Sequence, residues 1–300
     1  MDCSQDVPQG FHYVGTLIRP PSEADSILIQ ATVGCSHNKC SFCGTYKDKR
    51  FAIKPKEILE RDLAFAERYC RHQKRVFFMD GDPLIMPMAR WRWLLGEVRR
   101  RLPWVERVGT YANSKAIAMK TDEELAELRE LGLGIIYYGI ETGHPQVLKD
   151  INKGATPEKL LTQGLRVRKA GIKLSVTVLL GIGGVELSLE HARATGELLT
   201  RLDPEYVGAL TLILIPGTPL AAKAARGEFR MPGPRGMLVE LKEMLAATEL
   251  SEGHRFYANH ASNYLPIKVR FPEDKAPALE LLEAAINGQV GLRPEWMRAL

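Results

Sequence analysis

Apolar, β-branched runs alternate with amphipathic segments through most of this 300-residue chain. That alternation is typical of repeated βα units built around a parallel sheet, and we count about six such units. Strands are predicted over 26–31, 75–80, 107–111, 135–140, 173–180 and 206–215. Helices are predicted over 55–69, 88–101, 121–131, 156–170, 187–202 and 236–250. The sequence therefore predicts an α/β fold.

Composition and charge limit the classes of protein to which the chain can belong. With 45% hydrophobic and 26% charged residues, 300 residues can bury one large core. No apolar run approaches the roughly 18 residues of a membrane span, and the first ten residues are polar and acidic, unlike a signal peptide. We therefore expect a cytoplasmic protein with no membrane partner. The net charge of +5 is modest, and the arginines within 90–101 favour a solvated helix face over a nucleic-acid site.

Three of the five cysteines lie close together, directly after the first predicted strand. Cys35, Cys40 and Cys43 occupy the segment GCSHNKCSFCG, in the spacing CxxxxCxxC. Three thiolates within nine residues can converge on one iron–sulfur cube and leave its fourth iron without a protein ligand. A structural zinc site is the alternative, with His37 as the nearest fourth ligand. The remaining cysteines, Cys3 and Cys70, add no second cluster motif, and their roles are left open.

The segments that follow the predicted strands are polar or rich in glycine. In chain order they read GCSHNKCSFCG, DGDPL, YANS, ETGHP, GIGGVE and PGTPL. In a fold of parallel βα units, ligands bind at the carboxyl ends of the strands. These six segments are therefore the expected binding loops.

Together with GIETGHPQVLKDINKGAT, these segments resemble the radical S-adenosylmethionine (SAM) superfamily over residues 26–220. The chain is most similar to the branch of anaerobic coproporphyrinogen oxidases, methylthiotransferases and magnesium-protoporphyrin cyclases. The usual spacing in the family is CxxxCxxC, and this chain has one residue more between its first two cysteines. The resemblance implies a partial (β/α)6 barrel of the TIM type, with 1–25 as an N-terminal extension and 26–220 as the core. Residues 221–300 would form a helical and strand extension that covers the barrel mouth.

The resemblance also implies a ligand set for the cofactors. Cys35, Cys40 and Cys43 match the ligands of a 4Fe–4S cluster whose open iron is chelated by the amino and carboxylate groups of SAM. Phe42 matches the aromatic position whose backbone lies against adenine. Gly81 and Asp82 match the place of a glycine-glycine-glutamate motif that holds the SAM ammonium. An ordinary Asp-Gly turn is the alternative there.

Further positions after the later strands match cofactor contacts of the family. Glu141 matches a contact to the ribose or methionine part of SAM, and a salt bridge to a barrel arginine is the alternative. Asn113, with Ser114, is a weaker match of the same kind. Ile182 in GIGGVE matches the residue that packs on adenine, although a strand-to-helix turn explains the neighbouring glycines equally well.

Beyond the core, YANHASNYLP is dense in side chains that form hydrogen bonds. Asn259, His260, Ser262 and Asn263 are candidates for reading a polar substrate, and the alternative is that they cap a turn before Pro266. No residue is assigned as catalytic.

By resemblance, the chain is an enzyme that cleaves SAM reductively to a 5′-deoxyadenosyl radical, which takes a hydrogen atom from a small-molecule substrate. A one-electron donor such as flavodoxin or ferredoxin would be its partner. The absence of other cysteine clusters and the short segment before Cys35 predict a single-cluster enzyme without a cobalamin domain. The substrate, the fate of SAM and the oligomeric state are not determined by the sequence. A zinc- or iron–sulfur-stabilised protein that binds nucleic acid or transfers electrons without catalysis is the alternative.

Overall fold

The computed structural model describes residues 10–299, which fall into two compact units. The first unit contains the described residues up to Asn38, then Thr45–Tyr137 and Lys169–Ile172. The second contains Lys39–Gly44, Tyr138–Arg168 and the described residues from Lys173 onwards. Cys3 lies outside the described residues.

The first unit is a parallel sheet with helices. Its strands are β1 (Ile27–Gln30), β2 (Thr32–Val33), β3 (Ala52–Ile53), β4 (Arg75–Met79), β5 (Arg107–Ala112) and the first half of β6 (Leu133–Glu141). The sheet order is β1-β4-β5-β6, and β2 pairs antiparallel with β3 as a separate ribbon. Its helices are α1 (Lys56–Tyr69), α2 (Met88–Arg101), α3 (Ser114–Ala118) and α4 (Asp122–Glu130), with short 3-10 turns at Pro21–Glu23 and Pro83–Ile85.

The interior strand β4 is buried because its side chains are apolar on both faces. In β4, Val76, Phe77 and Phe78 are completely buried, as expected for a parallel strand covered on both sides. Phe77 meets the rings of Tyr111 and Tyr137 edge-on, with centroids 5.0 and 5.4 Å away. Parallel pairing of β1, β4 and β5 brings their carboxyl ends to one edge of the sheet.

The second unit continues the same pattern of strands and helices. Its strands are the second half of β6, β7 (Lys173–Leu180), β8 (Tyr206–Thr211), β9 (Arg255–Ala258) and β10 (Ile267–Arg270). Its sheet order is β6-β7-β8-β9-β10, in which β9 is parallel to β8 and β10 is antiparallel to β9. Its helices are α5 (Pro145–Asp150), α6 (Pro157–Lys169, whose last residue falls in the first unit), α7 (Ser188–Leu202), α8 (Pro219–Ala225), α9 (Pro234–Ala246) and α10 (Lys275–Ile286). A 3-10 turn at Glu295–Met297 follows.

All six predicted strands and all six predicted helices are present, most of them within two residues of the expected bounds. The largest differences are the helix predicted over 236–250, which spans Pro234–Ala246, and the strand predicted over 206–215, which ends at Thr211. Leu212 still donates its N–H to the Leu180 carbonyl of β7, but Leu212 and Leu214 belong to an apolar cluster, so this run packs against that cluster beyond the end of the strand. The helices α3, α5, α8 and α10 and the strands β2, β3 and β10 were not predicted, because most of them are short.

Two other observations concern a membrane span and the role of the arginines on α2, both considered above from composition and charge. In the described part of the chain, no helix has both the length and the apolar character needed to cross a membrane. On α2, Arg92 pairs with Glu127, and Arg100 and Arg101 both pair with Glu97, as expected for a solvated helix face.

Candidate active site

The first cysteine rests against the loop that follows β4. A Cβ built on Gly81 would lie 2.5 Å from the Cβ of Cys35 and 2.9 Å from the Gly34 carbonyl oxygen. The Gly81 N–H donates to that same carbonyl over 3.1 Å. Only glycine allows two backbones to approach this closely, so Gly81 is required for the position of Cys35.

Asp82 ties the cysteine segment to the loop after β5. Its carboxylate accepts the Ser36 N–H over 2.9 Å, the Ser36 hydroxyl, and the Asn113 side-chain amide over 2.7 Å. Asp82 is completely buried, and burial raises its pKa, while the hydrogen bonds from Ser36 and Asn113 act in the opposite direction. Asn113 also accepts the Ala116 N–H and so caps α3. Asp82 and Asn113, both predicted as cofactor contacts, are therefore brought together.

Strained backbone marks the ends of two strands. Asp80 follows β4 with φ +91°, and Glu141 ends β6 with φ +64°, conformations that non-glycine residues rarely adopt. Asp80 is held there by accepting the Gly34 N–H over 2.5 Å and the Gln30 amide over 3.1 Å. Such strain is concentrated at functional sites, where the surrounding structure maintains it.

In the second unit, the segment with Cys40 and Cys43 is held through its backbone. The Ser41 N–H donates to the Ile151 carbonyl over 2.9 Å, and the Ser41 carbonyl accepts the Leu220 N–H over 2.9 Å. Gly44 closes the segment, where a Cβ would lie 2.7 Å from Ile215. Cys40 and Cys43 are both partly exposed. The segment thus combines a fixed backbone with accessible sulfur atoms.

Phe42 and Ile182 lie in the same apolar cluster. Ile182, at 2% exposure, belongs to its buried part, and Phe42 packs against it from a half-buried position. The other buried members are Val147, Ile151, Leu179, Leu212 and Leu220. The two residues predicted to border adenine are therefore neighbours of one apolar surface.

Glu141 forms the salt bridge that was raised as the alternative to a cofactor contact, but its partner is Lys153 and not an arginine. Lys153 Nζ lies 2.7 Å from Glu141 Oε1, and the two side chains are only 11% and 10% exposed. Burial acts to lower the pKa of Lys153, but the negative charges of Glu141 and Cys40 outweigh it and raise that pKa. Lys153 therefore stays charged beside a predicted cluster ligand. The signal was the place of Lys153 in INKG, at the end of the motif that carries Glu141, but a contact across the intervening turn and helix α5 cannot be predicted from spacing.

The polar residues after β9 hold a turn. Asn263, at 1% exposure, donates to the Ala209 carbonyl over 2.8 Å and accepts the Thr211 hydroxyl over 2.7 Å. His260 Nδ1 lies 2.9 Å from the hydroxyl of Ser262, which is completely buried. Asn259 alone of the predicted substrate residues is exposed. The structure thus uses Asn263 and Ser262 to join this turn to the end of β8.

Within residues 10–299, no group of three or more His, Cys, Asp or Glu side chains is arranged to hold a single metal ion.

Comparison with known proteins gives a consistent result. A family model described as the radical SAM superfamily matches residues 29–195, more than half of the chain. The heme chaperone HemW of Bacillus subtilis is 23% identical over 193 residues, 64% of this chain and 49% of that protein. The chain spans only about half the length of this relative.

Two solved structures show the same fold. Methylornithine synthase (PylB) superposes with a TM-score of 0.53 at 18% identity, covering 74% of this chain and 63% of the other. Coproporphyrinogen III oxidase (HemN) from Escherichia coli, a radical SAM enzyme, has a TM-score of 0.53 at 16% identity, covering 74% and 51%. The α/β fold with a mostly parallel sheet, predicted from the sequence, is confirmed.

Proposed function

The chain belongs to the radical SAM superfamily, and on that premise we propose that it cleaves SAM reductively and removes a hydrogen atom from a small-molecule substrate. The family works with a 4Fe–4S cluster and SAM. When bound, the cluster would supply the electron for the cleavage, and SAM would supply the 5′-deoxyadenosyl radical that takes the hydrogen atom.

The observation that carries this proposal is the fixed position of the first cysteine beside the loop that follows β4. Cys35 packs on Gly81, and the neighbouring Ser36 is bonded to Asp82. Three thiols in nine residues are the donor chemistry that iron–sulfur clusters take. Cys35, Cys40 and Cys43 therefore fit the group, and we assign them as its ligands.

The charged pair in the second unit suits the polar end of SAM. Lys153 offers a cation for a carboxylate, and Glu141 offers acceptors for an ammonium group or a ribose hydroxyl. Because the pair is largely buried, each of these contacts is stronger than it would be in water. Asp82 and Asn113 have their polar atoms engaged with each other and with Ser36. We therefore propose that they act by holding the cysteine segment and offer backbone atoms to SAM.

The apolar end of SAM suits the cluster of Phe42 and Ile182. An adenine ring is flat and largely apolar on its faces, so it is expected to pack against such a surface and exclude water from it. Exclusion of water protects a reactive radical from side reactions.

The substrate would contact the turn after β9. Asn259 is exposed and His260 is half-buried, so both have surface that a small molecule can reach, whereas Asn263 serves the turn. A one-electron donor such as flavodoxin or ferredoxin in the cytoplasm is the expected source of the electron.

The test is on anaerobically reconstituted protein, reduced with dithionite and mixed with SAM, with 5′-deoxyadenosine as the measured product. Wild type should form it, Cys43→Ala should not, and Cys70→Ala should match wild type because Cys70 ends α1 outside the cysteine segment. Wild type that binds SAM through an intact cluster and yet forms no 5′-deoxyadenosine, even with cell metabolites added, would contradict the proposal.

A further inference from the structure

A set of completely buried polar side chains links the two loops of the second unit that are proposed to contact SAM. Thr142 directly follows Glu141 at the end of β6, and Gly181 directly precedes Ile182 after β7. The linking side chains belong to Thr142, Thr195, His191 and Glu240, and none has measurable solvent exposure. None of them has a role in the function proposed above.

The loop after β6 is docked on α7 by two hydrogen bonds, and a third holds the loop itself. Thr142 Oγ1 lies 2.7 Å from His191 Nδ1 and accepts the His144 N–H over 2.9 Å. The Gly143 N–H donates to Thr195 Oγ1 over 2.9 Å. A Cβ on Gly143 would lie 2.2 Å from a carbonyl oxygen of α7, so the loop lies directly on the helix.

The loop after β7 is docked on the carboxylate of Glu240 from α9. Glu240 Oε1 accepts the Gly181 N–H over 2.5 Å, and Oε2 accepts the Ser188 hydroxyl over 2.5 Å. His191 Nε2 lies 3.2 Å from Glu240 Oε1, and Nε2 has no well-aligned hydrogen-bond partner in the described part of the chain, so we treat this contact as close packing. His191 therefore touches the supports of both loops.

The order hydroxyl, imidazole and carboxylate is also that of a hydrolase triad, and that role does not suit these residues. All three side chains are completely buried, and the Thr142 hydroxyl is engaged with the backbone of its own loop. A nucleophile needs an exposed oxygen that a substrate can reach. The arrangement is a scaffold instead.

We propose that Thr142, His191 and Glu240 are positioning residues that fix the Glu141 loop and the Ile182 loop relative to each other for the adenosine half of SAM. Loops that are already ordered lose less conformational entropy when a ligand binds, so the buried network raises the affinity for SAM. This inference rests on the proposed function.

The test compares two threonines that receive the same substitution. Thr142→Val removes the hydroxyl from the network, and Thr142→Ser keeps it. Thr200→Val is the matched control. The Thr200 hydroxyl joins α7 to the residues after α9, through the Ala247 carbonyl and the Glu249 N–H, but it contacts neither loop. The readouts are the dissociation constant of SAM for oxidised, cluster-loaded protein and the amide hydrogen exchange of the cluster-free chain.

We expect Thr142→Val to weaken SAM binding about tenfold, the effect of roughly one buried hydrogen bond. Thr142→Ser and Thr200→Val should remain near wild type. In the cluster-free chain, Thr142→Val should also speed exchange at Gly181, on the other loop. Equal weakening by the two valine variants, or unchanged SAM affinity in Thr142→Val, would overturn the inference while leaving the proposed function intact. Wild type that takes up the cluster but does not bind SAM would overturn both.

Discussion

At the scale of single residues, the candidate site depends on two glycines whose lack of a Cβ atom allows close backbone contacts. Gly81 lacks the Cβ that would collide with Cys35, and Gly44 lacks the one that would collide with Ile215. The sequence marked both glycines as belonging to the site, but only the structure shows which neighbour requires each of them.

Substitution of Gly81 by alanine is predicted to prevent cluster uptake. The new Cβ would lie 2.5 Å from Cys35, and the atoms it meets are backbone or next to backbone, so the cysteine segment must move. We expect iron and sulfide per chain after anaerobic reconstitution to fall several-fold. Gly96→Ala is the control, since it meets nothing within 4 Å and should stabilise α2 by roughly 1 kcal/mol. Normal iron content in Gly81→Ala would show that the close approach is not needed.

The second prediction at this scale concerns the buried pair of Lys153 and Glu141. Lys153→Met leaves a carboxylate that is only 10% exposed without its cation, so unfolding free energy should fall by about 3 kcal/mol. Adding Glu141→Gln should recover most of this loss, because both charges are then gone, and Lys153→Arg should lose little. Urea unfolding of the cluster-free chain measures all four proteins. A double variant that is no more stable than Lys153→Met would contradict the pairing.

At the scale of elements, the sequence predicted what depends on local pattern. The β7 bounds and the α2 bounds agree with prediction, and α4 begins with a capping box formed by Thr121 and Glu124. These features depend on residues close in the chain. The run 212–215 was misassigned because its apolar residues pack on distant segments. Lys153, His191 and Glu240 were missed for the same reason, since their partners come from other elements.

The turn after β9 gives a prediction about pH. Burial lowers the pKa of His260, and the positive charge of Arg293 lowers it further. The unfolded chain, with an ordinary histidine pKa near 6.5, then binds more protons than the folded chain below that pH. Stability should therefore decrease as the pH falls through about 6.5, by at most about 1.4 kcal/mol per pH unit from this group. His260→Asn, which can still accept a hydrogen bond, should show a smaller decrease between pH 8 and pH 5.5; an identical decrease would assign the effect to other groups.

At the scale of the whole molecule, the predicted binding segments are recovered because strand order places them. Each follows a strand, and parallel pairing within each unit brings the carboxyl ends of its strands to one edge. The sequence could therefore identify the loops without knowing their contacts. The sequence could not show what each loop does. Asp82 forms hydrogen bonds with Ser36 and Asn113, and the buried cation beside Glu141 is Lys153.

A ligand that binds only the folded chain must raise its stability, which makes SAM binding visible in thermal unfolding. At a SAM concentration 100 times the dissociation constant, the gain is about 2.7 kcal/mol, enough to shift the midpoint by several degrees. The shift should appear in cluster-loaded wild type. It should be much smaller in Cys43→Ala, which lacks one of the three thiols proposed to hold the cluster that chelates SAM. The comparison is made by calorimetry under anaerobic conditions. An equal shift in Cys43→Ala would mean that SAM binds without the cluster, and the ligand assignment of the cysteines would then be wrong.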